Sequence, residues 1–177
     1  MNTAVKLALA LAMVATCATA QRRDPLNSEE INQLRETAQE PVRRLPLMLK
    51  FASARMEILD HLRSQTASPD RVSQIREALQ DFETLMDQLN DNIDDYADRG
   101  EDLRKPLKEI IQATAGFQTK LQAWKTAGAG DPAVAQEFRQ YSFLLDNALD
   151  AVSSSLENAQ QTLADQTAHA SELKKKK

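Results

Sequence analysis

VSQIREALQDFETLMDQLNDNIDDY spans residues 72–96, and its apolar positions are Val72, Ile75, Leu79, Phe82, Met86, Leu89, Ile93 and Tyr96. The steps alternate between three and four without a slip, which draws one stripe along an α-helix. So regular a seam needs a surface to cover it: a partner chain, a ligand or the rest of this chain.

The same periodicity recurs elsewhere. A helix over 41–66 carries Val42, Leu45, Leu49, Ala52, Met56 and Leu59, and one over 102–127 carries Leu103, Leu107, Ile110, Thr114, Phe117, Leu121 and Trp124. A fourth, over 132–171, carries Val134, Phe138, Tyr141, Leu145, Leu149, Val152, Leu156, Ala159 and Leu163. The added step of four from Leu145 to Leu149 shifts that stripe sideways. A shorter helix over 28–39, capped by Asn27 or Ser28, shows Ile31, Leu34 and Ala38. Gly100, Gly128 and Gly130 fall between the periodic segments. Ser68-Pro69 and Asp131-Pro132 read as caps followed by proline at the first helical position, which opens the seam helix at 69. Pro41 predicts a kink or break after the short helix, and Pro46 adds a second irregularity. No run alternates as a strand does.

These observations predict an all-α protein: an antiparallel up-and-down bundle of four long helices, preceded by one short helix. Charge supports closure within the chain. Residues 41–66 hold five cations against two anions, 69–99 three against nine, 101–127 five against three, and 131–173 one against seven. If each helix touches the next and the last touches the first, unlike charges meet at every contact, a pattern that disfavours wrong pairings. Counting from the turns sets the small stretch Ala113-Thr114-Ala115-Gly116 level with Leu85-Met86 and Phe143-Leu144-Leu145. Residues 156–171 are then expected to cover the short N-terminal helix.

Residues 1–20 read as a cleaved signal peptide: Lys6, an apolar run from Leu7 to Ala15, and the small-x-small ending Ala18-Thr19-Ala20. The run is too short to span a bilayer, which takes about 20 apolar residues. Cys17, the one cysteine, lies inside it, so cleavage removes all thiol chemistry; the alternative is a lipoprotein acylated at Cys17, against which Thr16 counts. An exported chain without disulfides points to a bacterial envelope, periplasmic or extracellular. Residues 21–173 form one domain, and Lys174, Lys175, Lys176 and Lys177 form a basic tail. The acidic balance argues against specific nucleic-acid binding, and no later run is long enough to span a membrane.

The residues give catalysis little to work with. His61 and His169 lie near helix ends, and neither H-E-x-x-H, facing Glu-x-x-His motifs nor C-x-x-C-H occurs. Met48, Met56 and Met86 read as core rather than haem ligands. Asp94, Asp95, Asp98, Glu101 and Asp102 invite calcium, but the EF-hand offsets around Gly100 are wrong. The expectation is therefore no enzyme, no cofactor and no metal: an exported bundle acting by protein–protein contact with another envelope protein. It is a monomer, or a dimer swapped at the Gly128–Gly130 hinge. The alternative is a carrier or sensor of a small apolar ligand at mid-bundle, lined by Leu85, Met86, Thr114, Gly116, Phe117 and Leu145. The lysine tail either solubilises the chain or contacts an anionic surface.

Overall fold

A computed structural model describes residues 24–65, 69–131 and 134–175. The segment read as a signal peptide, Ser68, Pro132, Lys176 and Lys177 lie outside the described residues. Among the described residues six helices follow one another: α1 (Ser28–Glu36), α2 (Pro41–Ser64), α3 (Arg71–Asp98), α4 (Arg104–Gly130), α5 (Ala135–Phe138) and α6 (Ser142–Lys175). The four long ones form the helical bundle that the periodicity predicts, with a short helix before them and a break at Pro41.

The stripes face the interior. In α3, Ile75, Leu79, Phe82, Met86, Leu89, Ile93 and Tyr96 are buried, with Val72 partly covered. All seven predicted core positions of α4 are buried as well. In α2 one position fails, since Val42 is 45% exposed, while Met48, Phe51 and Leu62 are buried beyond the predicted stripe. The cause is that α2 touches α1, α3 and α4, so more than one of its faces is covered. Pro46 sits inside α2 without ending it, at the cost of one intrahelical donor.

The order around the bundle differs from the expected one. The neighbours are α2–α3, α3–α6, α6–α4 and α4–α2, which puts α3 and α4 on one diagonal and α2 and α6 on the other. Consecutive long helices still alternate in direction. Helices α2 and α3 are antiparallel, with Arg44 bound to Asn92 at one end and Leu62 beside Gln74 at the other. Helices α4 and α6 are antiparallel through Gln118–Ser153 (3.0 Å) and Lys125–Asp146 (2.8 Å). Helices α2 and α4 are parallel, as Lys120–Asp60 (2.6 Å) and the Arg63 guanidinium over Trp124 show. Helices α3 and α6 are parallel too. The sign argument therefore fails at two of the four contacts, where like meets like.

Three further expectations are corrected. Helix α1 folds back along α2 instead of extending it: its Glu30 meets Arg55 and its Leu34 carbonyl meets Arg44, so the end of α6 does not cover it. The predicted 132–171 helix is broken, and α4 runs through both glycines to Gly130. Gly128 is where the chain returns closely: a Cβ there would stand 2.2 Å from Phe138 Cδ2, so the α5 turn needs glycine at that point. Phe138 meets Tyr141 edge to face, and Tyr141 lies against Trp124, their ring centroids 5.6 and 5.4 Å apart. This aromatic group closes one end of the bundle. The start of α3 is corrected as well, since Pro69 lies in a turn and Asp70 is the N-cap, with no side-chain bond to the helix.

Candidate functional site

The predicted mid-bundle residues do not assemble into one site. Leu85, Met86 and Thr114 are fully buried and Phe117 nearly so, with Phe117 edge-on to Phe82 at 5.4 Å. The Thr114 hydroxyl donates to the Ile110 carbonyl at 2.7 Å and so is satisfied within its own helix. Gly116 lies on the exposed face of α4, with nothing within 4 Å of a Cβ. Leu145 is buried elsewhere: Met86 is level with Ser155, ten residues or about 15 Å further along α6. The predicted register assumed a tight turn after Gly128, but α4 runs to Gly130 and α5 intervenes before α6 begins at Ser142, which slides α6 along. Phe143, expected level with the small stretch at 113–116, is 72% exposed.

The parallel α3/α6 contact is the unusual one, since it joins the two acid-rich helices. Ala148, Ala151 and Ser155 are buried on α6, small enough for the Ser155 hydroxyl to donate to the Met86 carbonyl at 3.2 Å. Amides then stand between the carboxylates. Asn158 Nδ2 donates to Asn90 Oδ1 (2.8 Å) and to Asp94 Oδ1 (2.6 Å). Gln166 holds the α3–α4 turn at both ends, donating to the Glu101 carbonyl (2.8 Å) and accepting from the Leu103 N–H (2.9 Å). Along the outward side of the two helices Asp91, Asp98, Asp150, Glu157 and Asp165 are exposed, as is Asp94 of the seam itself. At its lower end a groove opens between the turn and α6, lined by Ala97, Glu101, Asp102, Thr162, Asp165 and His169, with Arg104 also at its wall. His169 thus faces the α3–α4 turn rather than α1.

The Arg104 guanidinium beside Asp102 holds that carboxyl down at about 2. Of the five carboxylates that invited calcium, Asp94 and Asp102 therefore have protein donors already. Among the described residues no three His, Cys, Asp or Glu side chains stand together so as to hold a metal ion. Nor is any helix among them long and apolar enough to cross a membrane. Lys174 and Lys175 continue the α6 backbone beyond the turn.

On the opposite side, residues 24–36 are pinned to α2 by a buried charge network. Asn27 Oδ1 accepts from the Glu30 N–H and Glu30 Oε2 accepts from the Asn27 N–H, each at 2.9 Å. Glu30 pairs with Arg55 through both oxygens, at 2.8 and 2.6 Å, and Arg55 also reaches the Pro25 carbonyl at 2.7 Å. The Arg55 hydrogen bonds hold the Glu30 carboxyl below its ordinary range, against the upward pull of burial. The Asn27–Glu30 half of this network was readable as a capping box; the Arg55 half was not, because it depends on α1 turning back.

Set against family models, curated proteins and solved structures, the chain matches none of them.

Proposed function

We propose that the protein is an exported, non-enzymatic helical bundle that acts by protein–protein contact in the bacterial envelope. The observation that carries this reading is the separation of charge across the bundle. The acid-rich α3 and α6 are neighbours on one side, and the cation-rich α2 and α4 are neighbours on the other. Pairing helices of like sign gives up favourable contacts inside the molecule and concentrates one sign on one face. Such a field steers an oppositely charged partner and rejects wrong ones. The leader-like residues 1–20 support export.

Native mass spectrometry on the protein expressed with its leader and purified from the envelope tests the export half. A mass beginning at Gln21 is expected, whereas a mass retaining residues 1–20 overturns it. Extra mass that leaves on denaturation would favour a ligand carrier instead. A photo-crosslinker in place of Ser154 tests the contact half. It should give a discrete protein adduct in cells that disappears when Asp91, Glu157 and Asp165 are changed to Lys; adducts indifferent to those changes refute it.

A further inference from the structure

The outward face of α3 and α6 runs down into the groove beside the α3–α4 turn, and no element of the described chain packs over it. The last level position of α6 is Gln166, which bonds the turn; residues 167–175 overhang it, about 13 Å of helix at 1.5 Å per residue. Four lysines end this sequence at 174–177. Helix α6 runs parallel to α3 and continues through Lys175, so its own backbone at Lys174 and Lys175 lies beyond the acidic face.

We infer that the face is covered by a second copy of this chain, whose Lys174–Lys177 lie along the groove while the first copy's lysines lie in the other's. Two α6 helices overlapping antiparallel at their overhangs generate both contacts from one two-fold axis, so the pair closes as a dimer and does not grow. Each contact sets four lysines against Glu101 and Asp165 in the groove lining, Asp165 already accepting from Gln161 of its own helix, with exposed Asp98 next to Ala97 of that lining. Arg104, the guanidinium in the groove wall, is already engaged by Asp102. The net negative charge of each copy opposes pairing weakly, since at physiological salt it is screened beyond about 8 Å, while the contact charges are not. The inference rests on reading the protein as a contact-maker but needs neither export nor an outside partner. A monomer therefore removes it and leaves that reading standing.

Sedimentation equilibrium of the purified protein is the test, with reciprocal charge swaps. The wild type should dimerise at about 50 mM NaCl and associate at least about tenfold more weakly at about 500 mM. One variant carries Lys174→Glu, Lys175→Glu, Lys176→Glu and Lys177→Glu; the other carries Asp98→Lys, Glu101→Lys and Asp165→Lys. Far-UV circular dichroism confirms that both remain helical. Each alone should be monomeric, because its tail meets a face of its own sign, and an equimolar mixture should dimerise, because both contacts then pair unlike charges. A wild type that stays monomeric at low salt overturns the inference, as does a dimer that survives the tail swap or a mixture that stays monomeric. Tail-dependent binding to phosphatidylserine vesicles without any dimer would assign the lysines to membrane and overturn it equally.

Discussion

Gly116 and Gly128 lie on the same helix, and the structure predicts opposite consequences for the same substitution. At Gly116 an added Cβ meets nothing within 4 Å. Alanine there gains only helix propensity, about 1 kcal/mol, which for a chain of this size raises Tm by roughly 2–4 °C. At Gly128 the Cβ would stand 2.2, 2.6 and 2.8 Å from three ring carbons of Phe138. Forcing the ring aside costs about 1–3 kcal/mol as overpacking, and losing its edge contact with Tyr141 costs roughly 0.5–1.5 kcal/mol more. Offset by the propensity gain, which is smaller near the helix end, Gly128→Ala should destabilise by about 1–3 kcal/mol and lower Tm by several degrees. Urea denaturation followed by far-UV circular dichroism separates the two. Phe138→Ala supplies the control, because in its background Gly128→Ala should become neutral or stabilising, a coupling of about 2 kcal/mol. Equal gains at both glycines, or no coupling to Phe138, would refute the placement of the α5 turn against α4.

Three further outcomes follow from the polar contacts. Glu30→Ala leaves the Arg55 guanidinium buried without its partner and removes half of the capping box, so urea melts should show a loss of about 2–4 kcal/mol. Since the folded state holds the Glu30 carboxyl below its unfolded value, its contribution is complete above the unfolded pKa and is lost as pH falls through the folded one. Stability measured against pH should accordingly decline less steeply on acidification in Glu30→Gln than in the wild type. Gln166→Ala strips the acceptor from the buried Leu103 N–H, which should cost about 1–2 kcal/mol and speed hydrogen exchange at that amide; unchanged exchange would show that the turn does not depend on α6.

The heptad-like stripes told which residues go inside because that property is local. A helix turns 3.6 residues at a time whatever it packs against, so Ile75 to Tyr96 and Leu103 to Trp124 had to bury together. The breaks were less legible. Asp131-Pro132 looked like a helix start, and the glycines before it like an end, yet α4 passes through Gly128, because Phe138 fills the space its missing side chain leaves. No local signal announces a contact between residues ten apart across a turn.

What the sequence determined by itself is the all-α class, four long amphipathic helices, a short one broken off at Pro41, and nearly all of the core of α3 and α4. The order of helices around the bundle was decided by the tertiary structure alone. Net charge per helix is a sum, and surface pairs are worth only about 0–1 kcal/mol each, so it cannot override the fit of Ala148, Ala151 and Ser155 against α3. Small side chains at that contact let Ser155 reach the Met86 backbone, and the amides of Asn158 and Gln166 bridge what like charges would push apart. That packing choice turned an expected alternation of charge into two opposed faces, the feature on which the proposed contacts rest.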